Sequence, residues 1–270
     1  MTSKPEVEGD RLMRRVLTRN PDHGGILSEI TGAQGTSKTA ALFSFAKYTF
    51  KRYPNEKIFF REQTEAPLQC YKLGEGNFEF FVKESSNITF HDRKKRLKKV
   101  DVPFRTFTTY EELYDMAQGG IVSIPFFDTV HEWMDFIHYL RSAGEWTTIL
   151  IDEMADICPY GSSGDLYKRI KSFANDMGAV RRCMMNLFYN TQSAADIDWR
   201  IRKKVMLSIY FRGATANKGS RVKQNAIDAL EVNHTLGNEA WLDMGGEFGK
   251  VRFATIFKPD SKHQIEVRRG

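Results

Sequence analysis

The segment that most constrains this chain runs from Ile26 to about Tyr53. An apolar run, Ile26-Leu27-Ser28-Glu29-Ile30, leads into Gly32-Ala33-Gln34-Gly35-Thr36-Ser37-Lys38-Thr39, and a helical pattern starts at Lys38. A second apolar run, Lys57-Ile58-Phe59-Phe60, follows the helix. Strand, tight glycine-containing turn, helix and strand make a βαβ unit, which commits the chain to a parallel sheet with helices packed on it.

The rest of the sequence repeats that grammar. Ile121-Val122-Ser123-Ile124 precedes a helix marked by Val130, Met134 and Ile137, and Thr147-Thr148-Ile149-Leu150-Ile151 reads as the next strand. Leu166, Ile170, Phe173 and Met177 recur at helical spacing before the buried strand Met185-Asn186-Leu187-Phe188-Tyr189. Ile197 and Ile201 open another helix, and Val205 to Phe211 forms a further strand. The expected fold is α/β, a mainly parallel sheet with helices on both faces.

Three stretches depart from this alternation. The polar residues 1–24, ending in Pro21-Asp22-His23-Gly24, read as an arm ahead of a single domain spanning 25–270. Between about residues 71 and 103 the strand-like Phe78-Glu79-Phe80-Phe81-Val82 and Ile88-Thr89-Phe90 lead into a basic cluster, which reads as a small β insertion. Ala240-Trp241-Leu242 and Val251 to Phe257 read as a C-terminal β-hairpin.

The loop Gly32–Thr39 fits G-x-x-x-x-G-K-[ST], with Ser37 in place of the second glycine. Backbone N–H groups from Gly32, Ala33, Gln34, Gly35, Thr36, Ser37 and Lys38, continuing through Thr39 and Ala40 at the helix start, can surround the phosphates of ATP, helped by the positive helix end. Lys38 is placed to reach the β- and γ-phosphates, and Thr39 to give its hydroxyl to Mg²⁺. About a hundred residues on, Ile149-Leu150-Ile151 runs into Asp152-Glu153 at the strand end where ligands bind in open α/β sheets. Asp152 is expected to hold Mg²⁺ and Glu153 to polarise the attacking water. The next strand ends Asn190-Thr191-Gln192, so Gln192 is a candidate for contacting the γ-phosphate or the water.

The order of these motifs resembles the HerA/FtsK superfamily of DNA-pumping ATPases, which includes viral genome-packaging motors and conjugation ATPases. The resemblance is carried by the phosphate loop, by Ile149-Leu150-Ile151-Asp152-Glu153, and by Arg181-Arg182-Cys183 through Thr191-Gln192-Ser193 with Asp198-Trp199-Arg200-Ile201-Arg202 after it. It covers the core from about Gly25 to Gly213. Departures are Ser37 and Ser193-Ala194, where that family often has Arg-Pro. The resemblance implies a RecA-like P-loop NTPase fold, ATP hydrolysis, a homo-oligomeric and usually hexameric ring, and double-stranded DNA as partner. A capsid or assembly protein is a further partner it allows. Zonula-occludens-toxin-like assembly ATPases share similar motifs, so a protein-assembly or secretion switch without DNA translocation is the alternative.

In such rings an arginine from the neighbouring subunit completes the site, for which Arg181 and Arg182 are the first candidates and Arg200 and Arg202 the next. Two basic clusters are candidate DNA contacts. One is Arg93, Lys94, Lys95, Arg96, Lys98 and Lys99, six positive charges in seven residues; the other, in a glycine-containing loop, includes Lys218 and Arg221. Lys and Arg total 40 against 34 Asp and Glu, a formal charge of +6 that suits a polyanion without demanding one. Cys70, Cys158 and Cys183 are too scattered for a disulfide framework or a zinc knuckle, and the six histidines show no ligand spacing. No run approaches the roughly 18 apolar residues of a membrane span. The expected location is the cytoplasm, with association to a virus allowed by the resemblance.

Overall fold

The computed structural model describes residues 9–22, 24–61, 78–95, 98–233, 236–253 and 265–269. Its strands in chain order are β1 (Leu27–Thr31), β2 (Lys57–Arg61), β3 (Phe78–Lys83), β4 (Ile88–Asp92), β5 (Lys98–Lys99), β6 (Arg105–Phe107), β7 (Val122–Phe126), β8 (Thr147–Ile151), β9 (Met185–Thr191), β10 (Leu207–Phe211), β11 (Asn238–Met244), β12 (Glu247–Phe253) and β13 (Ile265–Arg269). Ten of them form one sheet in the order β12-β11-β10-β1-β9-β8-β2-β7-β3-β6, and β13-β4-β5 form a second, antiparallel sheet. Every pairing from β10 across to β6 is parallel, while β11 and β12 close one edge as an antiparallel hairpin.

The central strands are buried on both faces, which is why they read as continuous apolar runs. Alternate residues serve opposite layers. Ile30, Leu150, Phe188 and Ile209 face the layer of α2 (Lys38–Arg52), and Leu27, Ile149, Ile151 and Leu187 face the other. That second layer contains α3 (Tyr110–Met116), α4 (Glu132–Leu140) and α5 (Gly164–Ala179), with Leu113, Phe136, Ile137, Ile170 and Phe173 fully or almost fully buried. Thr109 caps α3 by accepting from Glu112 N–H at 3.1 Å, and the Glu112 carboxylate accepts from Thr108 N–H at 2.7 Å, so two otherwise unpaired amides are satisfied at once.

The N-terminal segment departs from the expected arm. Residues Gly9–Leu17 form helix α1, which packs against β12 and buries Leu12, Val16 and Leu17. Four and five residues apart, these three side chains make one narrow apolar stripe among arginines, too sparse to register in a polar segment. The segment is then pinned by Arg19. Its guanidinium meets Glu56 through Nε at 2.7 Å and Nη2 at 2.8 Å, reaches Thr49 and Thr148, and lies over the rings of Tyr53 and Trp146.

The insertion is also smaller than expected. Phe78 to Lys83 is not part of it, because β3 pairs with β7 inside the main sheet. What stands apart is the β4–β5 unit, whose Phe90 packs on Phe126 and whose outer edge is completed by β13. Of the C-terminal hairpin, Glu247–Phe253 matches the second strand, and residues 254–257 lie outside the described residues.

Candidate nucleotide site

The phosphate loop leaves the C-terminal end of β1, an inner strand between β10 and β9, and turns into α2. Two contacts from other elements, and the loop's own lysine, fix it. Ala33 N–H donates to Arg212 O at 3.0 Å, Asn238 Nδ2 donates to Thr36 O at 2.9 Å, and Lys38 Nζ turns back to donate to Gly32 O at 2.8 Å and Ala33 O at 3.0 Å. Gly32 is required by close approach, since a Cβ there would sit 2.6 Å from Phe211 Cβ. Gly35 is required by conformation, with φ +78° and open space around it.

Ser37 also has a left-handed backbone, with φ 64° and ψ 33°. The second glycine of the motif therefore answers a backbone demand as well as the need for room beside a nucleotide, and serine meets that demand at a cost. A left-handed conformation costs an L-residue about 1–2 kcal/mol, partly offset by the greater unfolded-chain freedom of glycine. Ser37→Gly is expected to raise stability by about 1 kcal/mol in urea unfolding; a destabilising effect would show that the serine side chain contributes contacts that outweigh the strain.

Burial pulls the Lys38 ammonium below its ordinary pKa, against the attraction of Glu153 and Asp152. The charge is thus held in the loop by the Gly32 and Ala33 carbonyls and by the attraction of the two acids.

Asp152 and Glu153 leave the end of β8 side by side and are treated differently. Asp152 is almost fully buried; its Oδ1 accepts from Thr39 Oγ1 at 3.0 Å and from Asn190 Nδ2 at 2.6 Å. Its Oδ2 is buried and has no hydrogen-bond partner among the described residues. An unpaired buried carboxylate oxygen beside a threonine hydroxyl at the foot of a phosphate loop is a donor set that fits Mg²⁺, which takes one or two protein oxygens and completes its shell with water and phosphate. Among the described residues there is no cluster of three His, Cys, Asp or Glu able to hold a metal by protein ligands alone.

Glu153 adopts φ 59° and ψ 82°, an outlying backbone for a non-glycine residue. Its N–H donates to Asn190 Oδ1 at 2.8 Å, and its Oε1 lies 2.8 Å from the Thr191 hydroxyl. Burial raises its carboxyl above the usual glutamate range, opposed by the Thr191 hydrogen bond and reinforced by Asp156 and Asp152. The carboxylate borders a cleft of about 530 Å³ whose walls include Asp156, Tyr160, Gln192 and Asp196.

The residues that hold the acid pair are mostly ones the sequence did not single out. Asn190 bridges both acids with its two amide ends, and Thr191 holds Glu153; the available signal was a pair of polar residues ending a buried strand. Arg61 ends β2, where its Nη1 donates to the carbonyls of Asp152 and Glu153, the latter at 3.0 Å, and its Nη2 to Asp156 at 2.7 Å. That guanidinium stabilises the strained turn at Glu153. Gln192 stands exposed at the cleft rim.

Arg181 and Arg182 are exposed at the other end of the sheet. Arg181 O accepts from Gly25 N–H, just before β1 begins, so neither side chain reaches the phosphate loop of its own chain. Arg200 is engaged by Asp198 through Nε at 2.8 Å and Nη2 at 2.7 Å, and Arg202 donates to Asn217 at 3.1 Å. In the basic clusters, Lys94, Lys98, Lys99, Lys218 and Arg221 are exposed; Arg93 is paired with Glu266 at 2.6 Å, and Lys95 lies 4.0 Å from Asp92. Arg96 and Cys70 lie outside the described residues. Among the described residues no helix is long and apolar enough to cross a membrane.

A parallel sheet with a phosphate loop leaving an inner strand and an acid pair two strands away defines a P-loop NTPase fold. Among solved structures, the chain is similar to the genome packaging NTPase B204 from Sulfolobus turreted icosahedral virus 2. Against its complex with AMP the TM-score is 0.54 at 12% identity, covering 88% of this chain and 100% of that one. Against its complex with ATP-gammaS the TM-score is 0.51 at 14% identity, covering 87% and 99%. At such identity the likeness is one of fold. No protein-family model matches the sequence, and no curated protein matches it.

Proposed function

We propose that this protein is an ATP-driven motor that hydrolyses Mg-ATP to translocate or package double-stranded DNA, working as a ring of identical subunits. The observation that carries the hydrolytic part is the coupled acid pair: one carboxylate keeps an unpaired buried oxygen beside Thr39, and the other, raised in pKa, borders an open cleft. The similarity to a genome packaging NTPase supports the motor part.

In this reading the loop amides of residues 32–39 surround the phosphates and Lys38 exchanges its carbonyl partners for the β- and γ-oxygens. Thr39 and Asp152 would hold Mg²⁺, which would neutralise charge on the β- and γ-phosphate oxygens. Glu153 takes the proton of the attacking water, and Asn190, Thr191 and Arg61 keep its carboxylate and backbone in place. Gln192 reports on the γ-phosphate from the cleft rim. Arg181 or Arg182, remote from their own loop, serve the site of the neighbouring subunit. Lys94, Lys98 and Lys99, exposed in the first basic cluster, contact the duplex phosphate backbone without reading sequence.

The test is steady-state ATP hydrolysis with and without linear duplex DNA at low salt. Stimulation by DNA is the expected result. Hydrolysis indifferent to DNA leaves an ATPase and removes the motor, favouring a protein-assembly switch; no hydrolysis removes both.

A further inference from the structure

A second recess lies away from the phosphate loop, between the short helix α6 (Trp199–Arg202) with the turn after it, the 217–220 loop, and the tip of the β11–β12 hairpin. Its volume is about 550 Å³, and its walls include Trp199, Arg202, Lys203, Lys218 and Asp243, with the backbone of Gly219, Gly245 and Gly246.

The charge on this recess is one-sided. Arg202, Lys203 and Lys218 line it, and the Arg221 side chain lies against Gly246 at its rim. Against these four cations stands the carboxylate of Asp243, which accepts from the Ser220 hydroxyl at 2.5 Å; Glu247, at the end of the same turn, is paired with Arg15 at 2.8 Å. The Nε of Arg202 is buried without a partner among the described residues. Trp199 keeps 51% of its surface exposed, and the Lys203 ammonium lies 4.1 Å from the ring centroid.

The wall carrying Lys218 is built rather than loose. Asn217, the residue before it, donates through Nδ2 to Glu29 Oε1 and Ser208 Oγ, both at 3.1 Å, and accepts from Arg202 at 3.1 Å. Glu29 is itself buried in β1 and accepts from Tyr189 at 3.0 Å. The groove is therefore tied to the strand that leads into the phosphate loop.

Open cationic grooves with an exposed aromatic side chain match single-stranded nucleic acid, whose phosphates need lysine and arginine and whose unstacked bases need a flat ring. In a duplex the bases are already stacked, and an exposed indole gains little. We propose that this groove holds a single nucleic-acid strand, with Lys203 and Lys218 on its phosphates and Trp199 against a base. The inference rests on the nucleic-acid reading above but names a surface and a strand state that reading does not require.

The test is fluorescence anisotropy with labelled dT20 and with a 20-base-pair duplex, on the wild type, Trp199→Ala, Lys203→Gln/Lys218→Gln and, as a comparison, Lys47→Gln/Lys51→Gln, exposed on α2, each checked by thermal melting. The expected result is about tenfold weaker dT20 binding for the first two variants, with the salt slope of the Lys203/Lys218 variant reduced by roughly 1.4, and little change for the Lys47/Lys51 variant. Loss of duplex and dT20 binding in equal measure would overturn the strand assignment. Unchanged dT20 binding in both groove variants would overturn the groove while leaving DNA binding elsewhere intact. A wild type that binds neither probe would overturn both this inference and the motor.

Discussion

Glu153→Gln is expected to lower ATP hydrolysis by about 10²–10⁴-fold, the range by which a positioned general base accelerates a proton transfer. ATP binding, measured with a fluorescent analogue, is expected to survive, because the amide keeps the size of the side chain and the phosphate loop is untouched. The same substitution separates chemistry from folding. Burial raises the folded-state pKa of Glu153, so its contribution to stability is fully present below the unfolded glutamate pKa and is lost as pH rises through the folded value. At neutral pH the ionised group therefore works against the fold, and Glu153→Gln is expected to melt at the same temperature as the wild type or higher. A variant that loses activity and melts lower would place Glu153 among structural residues instead. The raised pKa also sets the acid limb of the wild-type pH–rate profile: activity is expected to fall with decreasing pH from a midpoint above the ordinary glutamate value, and this limb is expected to vanish in Glu153→Gln.

The largest expected effect on stability comes from a residue far from the phosphates. Arg19 and Glu56 have side chains only 5% and 2% exposed, and they meet through two hydrogen bonds. Removing one member of a buried pair strands the other charge, which costs about 3–5 kcal/mol. Arg19→Ala is expected to lower the melting temperature by on the order of 10 °C, since 1 kcal/mol shifts a domain of this size by about 2–4 °C. It also loses the contacts over Tyr53 and Trp146. The double variant Arg19→Met/Glu56→Leu, which leaves no unpaired charge, is expected to recover most of the loss. If both variants are equally unstable, the cost lies in packing and not in the stranded carboxylate.

That pair joins segments that carry no local mark of their contact. Residues 1–24 look polar, and a nine-residue helix with three buried apolar side chains among arginines gives a weak periodic signal. Its burial depends on β12, which begins at Glu247, 230 residues after the helix ends at Leu17. Nothing local marks Arg19 as a core residue, because its partners come from α2, β8 and the turn before β2.

The site divides in the same way. Gly32 to Thr39 and the run Ile149 to Glu153 were legible because each is a contiguous segment whose chemistry follows from residue types in order: glycines where amides must turn inward, a lysine and threonine at the helix start, acids where a buried strand ends. The alternation of apolar runs with helical periodicity likewise fixed the α/β class, since backbone propensity and side-chain period are local properties. The order of strands is not local. Only the pairing of β8 with β2 on one side and β9 on the other brings Arg61, Asn190 and Thr191 around Asp152 and Glu153, and only the backbone angle at residue 37 shows why a glycine stands there in the usual motif. The amino-acid sequence determined which groups could do chemistry; the tertiary structure decided which of them meet, because contacts between strands distant in the chain are chosen by packing of the whole sheet and leave no periodic trace in any one segment.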